Sequence, residues 1–382
     1  MNKIEALGSS LKLNGKTFCK TNPLIIAEIG TGHNGDINRA KKLIDAAYSS
    51  GANSVKFQIV YADEILHPNT GYVNLPTGAI PLYKRFKELE VPAEFYAELA
   101  DYTRRKDLLF SATPFGIRSA DELAKLKPDF IKIASPELNY IQLLKYCAAK
   151  SLPMILSTGV SLLADIEKAV GAVHSINEKL PIALLHCITA YPAPESEYNV
   201  SLIRNLNAIF NLPIGLSDHS MDAVLVPALS LAYGCFIIEK HICLSRNENG
   251  LDDPVALEPD MFKQMCHALK KYSEYSPDEI INDLIKLNYS AKKINEVIGL
   301  GEKKLSSAEK ENYGRTNRSI HYMKDLKKNS IIKKDDIAIL RTEKVLTAGA
   351  HPEMFDIFAG AVLQRDVTSG SGTVIEDFIA RG

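Results

Sequence analysis

Eight short apolar runs in the first 245 residues each end in a polar residue able to do chemistry. They are LIIAE ending at Glu28, SVKFQ at Gln58, LLFSAT at Thr113, FIKIAS at Ser135, MILST at Thr158, IALLH at His186, IGLSDH at His219 and FIIEKH at His241. Continuous apolar runs of this length suit strands buried on both faces of a parallel sheet. Between them, apolar residues recur at helical spacing over 38–50, 93–105, 119–126, 140–149, 162–176, 200–210, 222–233 and 259–272. Strand and helix in alternation build βαβ units. Eight repeats favour a closed TIM (β/α)8 barrel over an open sheet, and no GxGxxG follows the first run, which weakens a dinucleotide-binding reading. In such a barrel the active site lies where the strands end, so all eight polar ends address one place.

At 382 residues the chain is longer than one average domain, and a change of texture shows where a second begins. Residues 1–22 read as a lead-in and 23–275 as the barrel. Residues 276–313 turn polar and helical, with the junction-like string GLGEKKLSSAEKEN, and 314–382 read as a small β-rich module. Its runs SIHYM, DIAIL, GAVLQRDV and TVIEDFI are separated by turn residues. DLKKNSIIKKDDI at 325–337 resembles DVTSGSGTVIEDFI at 366–379, which suggests pseudo-twofold character. A long insertion at 61–91, with Pro68, Gly71, Pro76, Gly78 and Pro81, would lie at the strand-end face and could cover the site. A second insertion follows the eighth run at 245–259.

Composition removes several function classes. A formal net charge of −1 argues against general nucleic-acid binding. No apolar leader opens the chain and no stretch reaches the length of a membrane span, so a cytoplasmic protein without a membrane partner is expected. Six cysteines without CxxC or zinc spacing read as reduced, mostly buried thiols, Cys187 among them. The basic run 324–334 reads as a solvated face.

The strand ends suggest three kinds of chemistry. His219 and His241 end neighbouring strands, and two imidazoles with open positions suit a Lewis-acid metal, although a lone histidine is ordinarily a structural hydrogen-bond partner. Lys56 and Lys132 lie inside apolar runs near the mouth. With the hydroxyls of Thr113, Ser135 and Ser217 they form a candidate phosphate or carboxylate cradle; salt bridges to Glu28, Glu137 or Glu239 are the ordinary alternative. Glu28, Glu137, Asp218, Glu239 and Asp252 are carboxylates able to orient hydroxyls or move protons.

The strings AEIGTGHNGD (27–36), KFQ (56–58), ATPF (112–115), KIASPELN (132–139), STG (157–159), LLHCITAYPAP (184–194), GLSDH (215–219), EKH (239–241) and LEPDMF (257–262) occur in this order across the barrel. Together they resemble the sialic acid synthase family, the phosphoenolpyruvate-dependent nonulosonic acid synthases. The tail from about Arg315 resembles that family's antifreeze-like SAF domain.

The resemblance implies a transferase that forms a C–C bond between phosphoenolpyruvate and an open-chain N-acetylmannosamine-type aldose, giving a nine-carbon acid and phosphate. It implies a divalent ion, Mn²⁺ or alternatively Mg²⁺ or Co²⁺, on His219 and His241. It also implies a phosphoenolpyruvate cradle of Lys56, Thr113, Lys132, Ser135, Thr189 and Ser217, and sugar contacts from Glu28, Gln58, Tyr191 and Asp252, with Glu137 near the reacting centre. A domain-swapped homodimer follows from the same resemblance, with Arg341 of one SAF domain reaching its partner's mouth.

Three places depart from the family pattern. Thr189 stands where an Asn usually contacts phosphate. The PDHxxS stretch reads LDDPVA, keeping Asp252 but placing Asp253 and Ala256 where His and Ser are usual. Arg341 lies in LRTEKVLTAGAHP rather than beside Pro-Gly. A synthase of shorter 3-deoxy-ulosonic acids and a non-catalytic sugar-binding homologue are the other readings, and the sugar itself is left open.

Overall fold

A computed structural model of the chain describes residues 8–75, 78–248 and 250–379; Pro76 and residues 1–7 of the lead-in fall outside them. Eight parallel strands close into a barrel: β1 (Leu24–Gly30), β2 (Ser54–Ile59), β3 (Leu109–Pro114), β4 (Phe130–Ile133), β5 (Met154–Ser157), β6 (Ile182–Cys187), β7 (Ile214–Asp218) and β8 (Ile237–His241), with β8 pairing back onto β1. Eight helices alternate with them: α1 (Ile37–Ser50), α2 (Ala93–Arg105), α3 (Ile117–Lys125), α4 (Ile141–Ala148), α5 (Leu163–His174), α6 (Leu202–Phe210), α7 (Leu225–Ala232) and α8 (Pro259–Tyr272). The helix expected at 222–233 starts three residues later. Asp222 instead accepts hydrogen bonds from the backbone N–H groups of Val224 and Leu225, and an aspartate that does so favours the turn before a helix over its interior.

Side chains alternate along each strand. Leu24, Ile26, Leu109, Phe130, Ile155, Ala183, Leu185 and Ile237 form one buried apolar layer at the lower end of the barrel. Gly215 sits in this layer because a Cβ there would meet Leu185 Cδ2 at 2.5 Å and Ile237 Cβ at 2.6 Å. The lead-in is more than a tether. Ser10–Leu13 and Lys16–Cys19 pair as an antiparallel hairpin, and Leu11, Leu13 and Phe18 complete the same apolar layer. The lower mouth is therefore closed with apolar side chains, which leaves the upper mouth for polar ones.

Two helices of the expected junction, Pro277–Lys286 and Ala291–Ile298, bury Ile280, Leu284, Ile294 and Val297 in the main core. The irregular segment is thus confined to 299–317. Beyond it, β9 (Arg318–Tyr322) pairs antiparallel with β10 (Ile337–Arg341). The expected runs GAVLQRDV and TVIEDFI form only isolated bridges and a 3-10 turn at Ile375–Asp377.

The internal repeat is visible in the backbone. Asp366 accepts from Lys328 N at 2.8 Å and Asp325 from Ser369 N at 2.8 Å. Leu326 and Val367 exchange backbone hydrogen bonds, Asn329 and Gly370 both take positive φ, and Asp336 and Asp377 each cap a 3-10 turn. The basic run is solvated, with Lys324, Lys327 and Lys334 on Asp336, Asp366 and Asp356. Cys147, Cys187, Cys235, Cys243 and Cys266 are buried. Among the described residues no helix is long and apolar enough to cross a membrane.

Candidate active site

Strand register gathers the predicted residues. Glu28 lies beside both His241 and Lys56, Gln58 beside Thr113, and Ser217 beside Glu239. A step of two residues above the level of the apolar layer puts Glu28, Lys56, Lys132, Ser217 and Glu239, and a step of four puts His241, into one cavity of about 250 Å³ at the C-terminal end of the strands. The expected site residues line this cavity except Glu137 and Asp218. Of the eight polar strand ends, Thr158 and His186 turn away from it, Thr158 Oγ1 donating to the Leu185 carbonyl and His186 Nε2 bonding the Tyr198 carbonyl.

Both lysines are buried and paired. Lys56 Nζ lies 2.7 Å from Glu28 Oε2 and 3.7 Å from Glu239 Oε2, and donates to Thr113 Oγ1 at 3.1 Å. Lys132 Nζ donates to Ser157 Oγ at 2.6 Å and lies 3.6 Å from Glu239 Oε1, which accepts from Ser217 Oγ at 3.0 Å. Burial opposes the charge on both ammonium groups. For Lys56 the Glu239 and Glu28 carboxylates prevail and raise its pKa, whereas Lys132 stays lowered despite Glu239. Glu239 feels burial in the opposite sense, and the two lysines hold it well below the usual carboxylate range. Lys132 is the less compensated cation, so an arriving anion gains most there. Asp218 and Lys240, one residue out of step, form a separate buried pair at 2.6 Å on the outer face of the strands.

The His219 and His241 ring centroids are 5.5 Å apart. His219 Nδ1 is 2.8 Å from the Ile188 carbonyl, which makes it the donor nitrogen and leaves Nε2 for a proton or a metal ion. Asp252 Oδ2 lies 3.6 Å from His241 Nδ1, and the Tyr191 ring packs on His219 with centroids 4.2 Å apart. Among the described residues no three His, Cys, Asp or Glu side chains are grouped to hold a metal. The histidines therefore fit an ion only as two of its ligands, with substrate or water oxygens supplying the rest. Cys187 is buried as expected but lies on the cavity wall, its Sγ 3.9 Å from His219 Nδ1. Burial pushes this thiol up, but the imidazole outweighs burial and leaves it lowered. Burial alone would lower His219, yet the same pairing raises it to about 9.

The roof comes from the C-terminal module of the same chain, with Thr316 and Arg341 on the cavity wall. Arg341 Nε and Nη2 donate to Glu137 Oε1 at 2.9 and 2.7 Å. Arg318, fully buried and paired across the sheet with Arg341, donates to the same oxygen at 3.1 Å and to the carbonyls of Glu64, Phe115 and Ile339. Glu137 is thus the buried counter-ion of two roof arginines, set behind the wall. The 61–91 insertion also meets this module. Phe86 and Leu89 line the cavity, Leu66 bridges to Arg341, and Thr70 Oγ1 donates to Thr342 O at 3.2 Å.

The departures from the family pattern separate in space. Thr189 and Asp252 line the cavity, whereas Asp253 turns away, accepts from Gly250 N at 2.7 Å and braces its own loop. Sequence reasoning missed Arg318 and Glu309. Each lies in a polar string whose burial is created by residues more than a hundred positions away.

A (β/α)8 barrel whose mouth is lined by two lysines, two histidines and three carboxylates, beneath a β-rich roof, defines a class of two-module barrel protein with a charged, enclosed cavity. Residues 43–280 match the NeuB family and residues 317–375 the SAF domain. The chain is 32% identical over 378 residues to the spore coat polysaccharide biosynthesis protein SpsE of Bacillus subtilis, covering 98% of each. The crystal structure of that protein superposes with a TM-score of 0.81, covering 98% of this chain and 100% of the other. The chain is also 30% identical over 376 residues to an N,N'-diacetyllegionaminic acid synthase of Legionella pneumophila, covering 96% of this chain and 98% of that one. The crystal structure of an N-acetylneuraminic acid synthetase from Leptospira borgpetersenii matches at 30% identity and a TM-score of 0.64, over 75% of this chain and 99% of the other. The chain belongs to the NeuB family.

Proposed function

We propose that this protein condenses phosphoenolpyruvate with the open-chain form of an N-acetylmannosamine-type aldose, giving a nine-carbon nonulosonic acid and phosphate. We assign residues 23–275 to the catalytic barrel and 314–382 to the roof. The observation that carries the reading is the convergence of two buried lysines on one carboxylate, ringed by the hydroxyls of Thr113, Ser157 and Ser217. Lys56, Lys132, Thr113, Ser135, Thr189 and Ser217 hold the phosphate and carboxylate of phosphoenolpyruvate. Gln58, Tyr191, Asp252 and Arg341 address the aldose.

In the reaction C3 of phosphoenolpyruvate forms the new bond to the aldehyde carbon, whose oxygen takes a proton. Water adds at C2, and the C–O bond to phosphate breaks to leave the 2-keto acid. Glu28, to which Gln58 Nε2 donates at 2.9 Å, takes the proton of that water in this reading, while Glu239 stays ionised between the two lysines. Glu137 acts through the arginines it holds.

A divalent ion, Mn²⁺ in this reading, would be held by His219 and His241 and would polarise the aldehyde oxygen. Charge balance supports it. Lys56, Lys132, Arg318 and Arg341 are matched by Glu28, Glu137, Glu239 and Asp252, so phosphoenolpyruvate brings negative charge that these residues alone leave uncompensated.

Phosphate release from phosphoenolpyruvate with Mn²⁺ tests the reading across a panel of 2-acetamido aldoses. Release is expected only with an aldose present and with a product of nine-carbon-acid mass. His219→Ala and His241→Ala should each lower turnover at least a hundredfold while the melting curve is kept. No release with any aldose would overturn the proposal, and a shorter product acid would favour the related 3-deoxy-ulosonate reaction.

A further inference from the structure

The loop after β5 is held in an unfavourable conformation by residues outside the barrel. Val160 has φ of +40°, a region that a β-branched side chain rarely adopts. Its N–H donates to Glu309 Oε1 at 2.7 Å, and its carbonyl accepts from Asn317 Nδ2 at 3.0 Å. Lys303 Nζ grips the same loop through the Thr158 carbonyl at 2.8 Å. All three side chains belong to the segment leading from the barrel to the roof.

The loop in turn meets the anion cradle. Gly159 N donates to Ser135 Oγ at 3.0 Å. A Cβ at Gly159 would lie 2.9 Å from Ser135 Oγ and closer still to Thr189 Oγ1, so the two hydroxyls pack directly on its backbone. Glu309 Oε1 also accepts from Thr189 N at 2.9 Å, and Oε2 accepts from Ser306 N at 3.3 Å. One fully buried carboxylate therefore ties together the loops after β5 and β6, each of which presents or braces a hydroxyl of the cradle.

We propose that Glu309 is a positioning residue for the phosphate side of the cradle. Its carboxylate holds Val160 at positive φ and Thr189 in place, so the cradle takes its binding geometry only when the connecting segment is seated. The inference rests on the reading of the cavity as a phosphoenolpyruvate site. With Glu309 removed, Val160 relaxes to negative φ, Gly159 N turns away from Ser135, and both hydroxyls lose their support.

Calorimetric titration with phosphoenolpyruvate and with inorganic phosphate, alongside steady-state kinetics, tests this. Glu309→Ala should weaken binding of both anions about tenfold or more and raise KM for phosphoenolpyruvate by the same factor, with KM for the aldose within twofold of wild type. Glu309→Gln keeps one acceptor oxygen and should fall within threefold of wild type. Val160→Gly, which removes the penalty on positive φ, should recover much of the lost affinity in the Glu309→Ala background. If Glu309→Ala does not fold, Asn317→Ala, which frees the other side of Val160, must show the same anion-specific loss. Wild-type anion affinity in folded Glu309→Ala, or equal rises in both KM values, overturns this proposal alone. Failure of the wild-type protein to bind phosphoenolpyruvate overturns it together with the function it rests on.

Discussion

His33, His186 and His321 carry no role in the proposed reaction, yet they set how this protein responds to acid. Burial lowers each to about 4, helped at His33 by Arg39 and at His186 by Lys303. An unfolded chain binds these protons near the ordinary value of 6.5, so between about 6.5 and 4 the unfolded state binds more protons than the folded one. Stability from these neutral rings is complete above pH 6.5 and is lost progressively towards pH 4, at up to about 1.4 kcal/mol per pH unit for each histidine. Melting temperatures measured between pH 7 and 4 should fall with acid, and His186→Gln should fall less steeply. An unchanged slope in that variant would contradict this account. Single residues were legible in the sequence where strand periodicity placed them: Glu28, Lys132 and Glu239 stand two residues above Ile26, Phe130 and Ile237 of the apolar layer, respectively. Glu137 was legible as a member of the site but not in its place behind the wall, because that place depends on two arginines nearly two hundred positions away.

Among the elements, the barrel strands were the most readable and β9 the least. A parallel strand buried on both faces announces itself as a continuous apolar run with a polar end. Arg318 opens β9 in the polar string RTNRS, and nothing local marks it as buried. Its guanidinium seats the roof on the barrel by reaching Glu137 and the carbonyls after β2 and β3. Replacing it with Met leaves those carbonyls and part of the Glu137 charge unpaired, a loss of about 3 kcal/mol in docking of the roof. Proteolysis within 299–317 should accelerate strongly in that variant, with little change in the melting of the barrel. Equal protection of the two proteins would show that the roof is held by other contacts. The repeat in the C-terminal module was legible for a related reason. Its Asp and turn residues recur because two copies of one turn bond to each other's backbone. In place of the ladders expected at GAVLQRDV and TVIEDFI, Ala361, Leu363 and Val367 make isolated backbone bonds with Ile332, Ser330 and Leu326, and the Asp377 carboxylate accepts from Val374 N.

At the scale of the whole molecule, the roof over this mouth belongs to the same chain, whereas the family resemblance led to the expectation of a partner's. Lys303, Glu309 and Asn317 bind the barrel together with the roof, so in a swapped dimer these contacts too would come from the partner. We propose the swapped homodimer, with a mass in solution twice the 42.1 kDa of one chain. Mixing His241→Ala with Arg341→Ala chains should then restore about a quarter to a half of wild-type activity, because one mouth in the mixed dimer is intact. A 42.1 kDa species, or no complementation, would favour the roof in cis. The sequence by itself determined the barrel, the end at which its polar cavity opens and most of the side chains that line it. The barrel and the residues at its strand ends follow from periodicity, which is local, whereas Thr189, Tyr191 and Arg341 were placed by the family resemblance. Tertiary structure alone decided that the hairpin of the lead-in plugs the lower mouth, that Glu137 holds two roof arginines, and that Glu309 holds a strained loop against the anion cradle. Those contacts join segments separated by a hundred residues or more, and burial at that range leaves no periodic mark on either one.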